Sequence, residues 1–283
     1  MATVSRASTS GRVVAVDASS LSSPSWIWRR SSVTARRGAR RGRWEGVVGP
    51  CPHRRVARAR GGSDDGRWAY DVAFKGVDRD AALDIAEASH AAAPERTRGD
   101  EWFYGELEFD AATAVLRRCA PPASSASSSS AGDGGLEFVD LGSGMGKMCV
   151  AAALTGMFDR SRGVELLPEL HNEARRALEA FEAVKAETAG KDCEITLVEG
   201  NLLAFDVSRA DVVYIHATCF TPELLDATGR KLAAECRNGT RVIIMSKQFP
   251  ADWVFQPYDG GYAALAQPQS KWKLDCFLYK IVK

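Results

Sequence analysis

The chain has 283 residues, of which 45% are hydrophobic and 26% charged, an ordinary composition for a globular protein with one large α/β core. No run approaches the roughly 18 apolar residues that a membrane-spanning helix needs, so we expect no membrane partner. The seven cysteines and four histidines are scattered without metal-ligand spacing, so the sequence predicts no metal site.

The net charge of +1 conceals two segments of opposite sign. Residues 1–62 hold 13 arginines, no lysine and only two acids, Asp17 and Glu45, which gives +11. The rest of the chain then carries 37 − 13 = 24 basic and 36 − 2 = 34 acidic side chains, a balance of −10. Because the first segment is rich in serine and alanine and has no sustained apolar periodicity, we predict that residues 1–62 are disordered.

Three interpretations of residues 1–62 stay open. A composition rich in arginine and serine and poor in acids is typical of a transit peptide, which predicts location in a plastid or mitochondrion. The alternative is a basic arm that contacts nucleic acid in the nucleus, and the third is an arginine-biased coding region without a role. We expect nucleic-acid contact only through this segment, if at all.

The next part of the chain, residues 63–135, is predicted to form a small N-terminal helical cap. It begins with a linker at residues 63–68. Apolar periodicity predicts helices at Asp78–Ala91 and Phe109–Cys119. Residues 123–135 are almost all serine, alanine and glycine, which predicts a solvated loop.

Strands and helices alternate through residues 136–283, which we assign to the main domain. The predicted strands are 138–139, 162–165, 194–198, 211–215, 240–246 and 273–282, and the predicted helices are 146–157, 167–189 and 222–236. Such alternation predicts an α/β fold, a mostly parallel sheet with helices on both faces.

A glycine turn follows the first of these strands. Asp140 precedes Gly142, Gly144 and Gly146, and a helical pattern begins at once. Glycines let the backbone turn sharply and approach a ligand, and the helix N-terminus offers free N–H groups. A dinucleotide fingerprint would place its third glycine where Lys147 stands, which disfavours NAD. The spacing is instead that of enzymes that bind S-adenosylmethionine (SAM).

Further polar residues fall at predicted strand ends. Glu165 ends the strand after the glycine turn, where a carboxylate would bind the ribose hydroxyls of SAM. Asn201 and the run after Tyr214 follow two later strands. Parallel sheets bind ligands at the carboxyl ends of their strands, so we expect these residues and Asp140 to form one site.

Several segments of the chain together resemble the non-SET histone-lysine methyltransferases of the disruptor-of-telomeric-silencing family, in particular its short single-domain members. The segments are FYGE (103–106), GVELLPELH (163–171), EGNLLAFD (199–206), DVVYIHATCFTPEL (211–224) and IIMSKQF (243–249). The resemblance covers residues 101–249. It implies a Rossmann-like class I methyltransferase fold with a seven-stranded sheet, and SAM as cofactor. It also implies a protein substrate that bears the target lysine, and a histone is one candidate.

The resemblance also implies the roles of individual residues. The predicted cofactor-binding residues are Tyr104, Gly105, Glu106, Asp140, Gly142, Gly144, Gly146, Lys147, Glu165, Asn201 and Leu202. The predicted catalytic residues are His216, Tyr104 and Phe220. The loop at Tyr104 would close over SAM, and Asn201 would contact the adenine amino group. The family has an acid where Asn201 stands and usually an asparagine where His216 stands.

The favoured function is a SAM-dependent protein-lysine N-methyltransferase. Two alternatives stay open: an organellar methyltransferase acting on a non-histone protein or a small molecule, and a catalytically weak SAM-binding domain. An acidic body of −10 is poorly suited to docking on nucleosomal DNA, which attracts positive surfaces. A histone substrate would therefore depend on the basic N-terminal segment.

Overall fold

The structure, a computed structural model, describes residues 66–96, 104–121, 135–250, 254–266 and 273–283. All of them belong to one compact unit. The disorder predicted for residues 1–62 lies outside the described residues, and so does the predicted serine-rich loop except for Gly135. No helix in the described part of the chain is long and apolar enough to cross a membrane.

Six helices and seven strands make up the described unit. The helices are α1 (Arg67–Ala73), α2 (Arg79–Ala92), α3 (Phe109–Cys119), α4 (Lys147–Leu154), α5 (Pro168–Glu182) and α6 (Pro222–Glu235). The strands are β1 (Glu137–Leu141), β2 (Arg160–Glu165), β3 (Glu194–Glu199), β4 (Val212–Ile215), β5 (Arg241–Met245), β6 (Phe255–Ala266) and β7 (Lys273–Ile281).

The seven strands form one sheet in the order β3-β2-β1-β4-β5-β7-β6. The first five are mutually parallel, whereas β7 runs antiparallel to both of its neighbours. Neighbouring residues along a strand alternate between the faces. Phe138 and Tyr214 pack under α1–α5, and Val139 and Val213 pack on the side of α6. The predicted fold class, a mostly parallel sheet with helices on both faces, is confirmed.

The central strand β1 brings the glycine turn to the edge of the sheet where ligands bind. All five of its residues are buried, as expected for a strand with neighbours on both sides and helices on both faces. The chain then turns at Gly142–Gly146 and enters α4, whose eight residues are all buried. The carboxyl ends of β1, β2 and β4 therefore lie side by side.

Several elements differ from the sequence prediction. Residues 67–73 form α1, although the sequence suggested a linker at residues 63–68. The helix predicted at 167–189 ends at Glu182 and is followed by a separate 3-10 turn, Lys185–Glu187. Strand β6 was not predicted because Pro257 and the Asp259–Gly261 segment indicate a turn. That segment has positive φ angles and produces a register shift within the edge strand.

The cap helices pack directly on the sheet domain. Asp78 caps α2 as predicted, since its carboxylate accepts a hydrogen bond from the Ala81 amide at 3.0 Å. Both α1 and α2 contact α5, and α3 contacts α4. The cap thus lies over the helices that flank the glycine turn, and its residues can reach the site.

Candidate active site

A cavity of about 560 Å³ lies at the carboxyl ends of β1, β2 and β4. Its lining includes these predicted site residues: Tyr104, Gly105, Glu106, Asp140, Gly142, Gly144, Lys147, Glu165, Asn201, Leu202, His216 and Phe220. Gly146 is the predicted site residue that does not line it. Gly146 instead caps α4 at φ 78°, and a Cβ there would lie 3.2 Å from Leu197 Cδ1. The positive φ and the packing against Leu197 therefore explain why position 146 is a glycine.

The glycine turn has the backbone that only glycine adopts readily. Gly142 and Gly144 have φ angles of 90° and 51°, in the left-handed region. A Cβ on Gly144 would lie 2.6 Å from Tyr104 Cε2, so the Tyr104 ring packs directly on the turn. A Cβ on Gly142 would meet no protein atom within 4 Å and would project into open space. The turn therefore leaves room for a ligand at Gly142.

Asp140 presents an unsatisfied carboxylate oxygen. The residue is 2% exposed, and its Oδ1 has no hydrogen-bond partner among the described residues. Burial, together with the nearby charge of Glu165, raises the pKa of Asp140 well above its usual value. A buried carboxylate without a donor is costly, so a ligand that brings an N–H or N⁺–H group to this point would bind strongly.

Glu165 is held by the backbone of the turn. Its Oε2 accepts a hydrogen bond from the Gly144 amide at 2.8 Å, and its Oε1 accepts one from the Leu167 amide at 2.9 Å. Burial raises the pKa of Glu165, and these backbone hydrogen bonds oppose that rise. Each carboxylate oxygen has two lone pairs, so Glu165 can keep both bonds and still accept from ligand hydroxyls.

We expect Glu165→Gln to weaken SAM binding about tenfold and also to lower the stability of the unliganded protein by about 1 kcal/mol. A glutamine has one carbonyl oxygen and an NH2 group, and the NH2 would face an amide donor. Titration calorimetry and urea unfolding measure the two effects. Unchanged unliganded stability would show that the bonds to Gly144 and Leu167 contribute nothing.

A buried ion pair borders the same end of the cavity. Lys147 Nζ lies 2.6 Å from Glu106 Oε2, and their side chains are 11% and 7% exposed. Burial, together with the nearby Glu106 carboxylate, raises the pKa of Tyr104 well above its usual value. Among the described lining residues, Lys147 is the only lysine or arginine, and the lining also includes the carboxylates of Asp140, Glu106 and Glu165.

Asn201 and Leu202 line the cavity beyond Glu165. Asn201 is exposed, and its Oδ1 accepts a hydrogen bond from the Leu203 amide at 2.8 Å. The bond caps the 3-10 turn Leu202–Ala204. One lone pair of the carbonyl that was predicted to contact adenine is therefore occupied within the protein. The second lone pair and the NH2 group remain for a ligand.

His216 is a neutral side chain at the other end of the cavity. Its Nδ1 lies 3.0 Å from the Tyr214 hydroxyl. A Cβ on Gly105 would lie 2.5 Å from His216 Nε2, so the ring packs against the backbone of the Tyr104–Glu106 loop. Burial, and to a smaller extent the charge of Arg79, lowers the pKa of His216 to about 4. His216 is therefore a weak base at neutral pH.

The lowered pKa predicts a pH dependence of stability that His216→Asn should reduce. Between pH 6.5 and about 4, the unfolded chain takes up a proton at His216 and the folded chain does not. The parent should therefore lose stability as pH falls, and the variant should lose about 1–2 kcal/mol less between pH 7 and pH 5. Urea unfolding at both pH values tests this, and parallel losses in the two proteins would contradict it.

Phe220 and Phe249 do not share the cavity. Phe220 lines it, whereas Phe249 stacks on Phe255 with ring centroids 4.5 Å apart. Lys247 donates an ammonium hydrogen to the Phe220 carbonyl. Lys247 therefore contacts the backbone of Phe220, and Phe249 packs in the same apolar cluster as Phe220.

The lining also includes residues that sequence reasoning missed. They include Tyr70, Glu95, Tyr214, Thr221 and Glu223. Tyr214 was identifiable, because it lies near the carboxyl end of β4, two residues before His216. Tyr70 belongs to α1, a helix that the sequence did not predict. Phe103, which was grouped with Tyr104, lies outside the described residues.

These features fit SAM. The amino-acid end of SAM carries an ammonium and a carboxylate, which match the unpaired Asp140 oxygen and the Lys147 ammonium. Glu165 offers lone pairs for two ribose hydroxyls. The open space at Gly142 admits a ligand where a Cβ would project. The cavity volume is also within the range of small-molecule sites.

Solved structures with similarity to this chain include two methyltransferases. The RNA methyltransferase from Salinibacter ruber, in complex with S-adenosyl-L-homocysteine, is 19% identical with a TM-score of 0.41, over 63% of this chain and 94% of that chain. The Bacillus subtilis M1A22 tRNA methyltransferase TrmK is 14% identical with a TM-score of 0.42, over 62% and 68%. No curated protein sequence matches this chain.

The sequence model of the family described as histone methylation protein DOT1 matches residues 96–254. This range is more than half of the 283-residue chain, and it contains every predicted site residue. The resemblance inferred from the sequence is confirmed. The chain therefore belongs to the DOT1 family of histone methylation proteins, and it is a SAM-dependent methyltransferase with a class I fold.

Proposed function

We propose that the protein transfers the methyl group of SAM to a lysine amine of a protein substrate. One observation carries this proposal: a single cavity joins the carboxylates of Asp140 and Glu165 to a neutral, partly apolar mouth formed by His216 and Phe220. The first end fits the cofactor. The second end suits an amine, which must lose its charge before it can attack a methyl group.

The cofactor end would hold SAM by complementary charge. Asp140 would accept from the ammonium of SAM, Lys147 would bind its carboxylate, and Glu165 would accept from the ribose hydroxyls. Leu202 would pack on the adenine, and Asn201 would bond its polar edge. When bound, SAM supplies an electrophilic methyl group on a sulfonium. The Tyr104 ring, which rests on Gly144, would cover the ligand and exclude water.

The acceptor end would prepare the amine by position and desolvation. Phe220 is 9% exposed and offers an apolar wall that would help to desolvate the amine, and desolvation lowers the pKa of a lysine. His216 adds no positive charge at neutral pH, because burial lowers its pKa to about 4. The pKa of Tyr104 is raised well above its usual value by burial and by the Glu106 carboxylate, so Tyr104 would not act as a base and would act through its ring and through the loop that it closes. Alignment of the reacting atoms then supplies most of the rate enhancement.

Incubation of the purified protein with methyl-labelled SAM and fractionated cell extract tests the proposal, with nucleosomes in a parallel reaction. We expect label on protein, placed on lysine by mass spectrometry, and much less label at the same SAM concentration with an Asp140→Asn control. Label on RNA or on a small molecule alone would overturn the lysine proposal. SAM binding without transfer to any fraction would favour a catalytically weak SAM-binding domain.

We further propose that residues 1–62 act as a transit peptide and that the substrate is an organellar protein. The support is compositional: this segment carries +11 with no lysine, and the rest of the chain carries −10. A fluorescent reporter fused to residues 1–62 should accumulate in a plastid or mitochondrion. A reporter with all 13 arginines of the segment changed to glutamine is the control and should stay outside the organelle. Accumulation of the unaltered fusion in the nucleus alone would favour a basic arm and a histone substrate.

A further inference from the structure

Tyr214 and His216 form a hydrogen-bonded pair inside the cavity wall. Both residues line the cavity, and the Tyr214 hydroxyl lies 3.0 Å from His216 Nδ1. Tyr214 is 2% exposed and lies beside Asp140 in the register between β1 and β4. Tyr214 therefore lies in a central strand of the sheet, and its hydroxyl holds the His216 ring just beyond the end of that strand.

The direction of this hydrogen bond follows from the burial of the phenol. A buried O–H group needs an acceptor, and among the described residues the partner that the structure shows for this hydroxyl is His216 Nδ1. The neutral imidazole has one donor and one acceptor nitrogen. If Tyr214 donates to Nδ1, the imidazole hydrogen must be on Nε2.

His216 Nε2 lies against the loop that carries Tyr104 and Glu106. A Cβ on Gly105 would lie 2.5 Å from Nε2 and 2.9 Å from Cδ2, so this edge of the ring faces the backbone of the Tyr104–Glu106 loop. Because Gly105 has no side chain, the His216 ring packs in the space that a Cβ there would fill. An Nε2–H group held here is a donor, and it has no lone pair with which to take a proton from an amine.

We propose that Tyr214 is a positioning residue that fixes His216 in the Nε2–H form, so that His216 donates a hydrogen bond to a carbonyl oxygen of the acceptor peptide and does not act as a base. The proposal rests on the proposed function, because it names how that site would hold its protein substrate. It also assigns the loss of the amine proton to solvent, since Nδ1 is occupied by Tyr214.

The tautomer of His216 can be measured without any activity. The chain has four histidines, and His216→Asn identifies the signals of this one after histidine-selective nitrogen-15 labelling. We expect the spectrum of the full chain to show hydrogen on Nε2, and Tyr214→Phe to give a mixture of tautomers. Hydrogen on Nδ1 in the parent would overturn the proposal, even if the protein proves to be an active lysine methyltransferase.

A double-mutant cycle on turnover tests whether Tyr214 acts through His216. We expect Tyr214→Phe to lower kcat about tenfold in the parent, with the KM for SAM within about twofold, and to lower kcat less than twofold in the His216→Asn background. Tyr262→Phe is the matched control, because it removes a hydroxyl that bonds Asp275 on the far edge of the sheet. Equal losses in both backgrounds would show a purely structural role for Tyr214 and overturn the proposal.

Discussion

Replacing Asp140 by asparagine should weaken SAM binding about 100-fold while stabilising the unliganded protein by about 1 kcal/mol. The carboxylate is buried and its Oδ1 has no donor among the described residues, so the unliganded protein bears the cost of an unpaired charge. An ammonium that binds there forms a charge-assisted hydrogen bond that the amide of asparagine cannot replace. The variant should therefore be more stable than the parent without ligand and yet bind SAM more weakly.

The stabilisation of the unliganded protein by Asp140→Asn should also depend on pH. Burial raises the pKa of Asp140 above the value of the unfolded chain, so ionisation of Asp140 removes stability as pH rises through that interval. The stabilisation by Asp140→Asn should therefore be small at pH 4 and grow towards pH 8. Urea unfolding at both pH values measures it, and titration calorimetry measures SAM binding.

Glu137→Gln is the matched control for Asp140→Asn. Both acids lie on β1 and both are 2% exposed, but Glu137 pairs with Arg160 at 3.2 Å and with Arg162 at 2.9 Å, at the end of the strand away from the cavity. Loss of this paired carboxylate should cost about 3 kcal/mol of stability and leave SAM affinity unchanged. If Asp140→Asn behaved in the same way, Asp140 would be a structural residue.

The cofactor end of the site was predictable because its signals are local. Asp140, the glycine turn and Lys147 are consecutive in the chain, and a strand–turn–helix sequence determines where they lie. Glu165 ends the next strand, so parallel pairing alone brings it beside the turn. What the sequence did not show is that the Glu165 carboxylate accepts a hydrogen bond from the turn itself, because a bond between a side chain and the backbone of a distant turn leaves no pattern in composition.

The remaining parts of the site depend on contacts between distant segments. Tyr70 reaches the cavity only because the seven-residue helix α1 packs on α5, and a helix that short gives little periodicity. The edge strand β6 is interrupted by Asp259–Gly261, so its pairing with β7 is visible only in three dimensions. The contact between Gly105 and the His216 ring joins segments more than a hundred residues apart.

We expect Gly142→Ala to weaken SAM binding roughly 30-fold, because the added methyl group would occupy space that the ligand needs and overpacking costs about 2 kcal/mol. Gly142 has a φ of 90°, lines the cavity, and would direct a Cβ at no protein atom within 4 Å. A loss of SAM affinity larger than backbone strain explains would therefore show that the bound SAM lies next to Gly142. Titration calorimetry with SAM provides the measurement.

Gly76→Ala separates this steric effect from strain. Gly76 has a φ of 81°, and a Cβ there would also meet no protein atom within 4 Å. It lies in the turn between α1 and α2, however, and does not line the cavity. Both variants should lose about 1 kcal/mol of unfolding free energy, since an alanine in left-handed backbone is strained in either place. Only Gly142→Ala should lose SAM affinity. Equal affinity in the two variants would place the bound cofactor away from Gly142 and overturn the assignment of the glycine turn as its cradle.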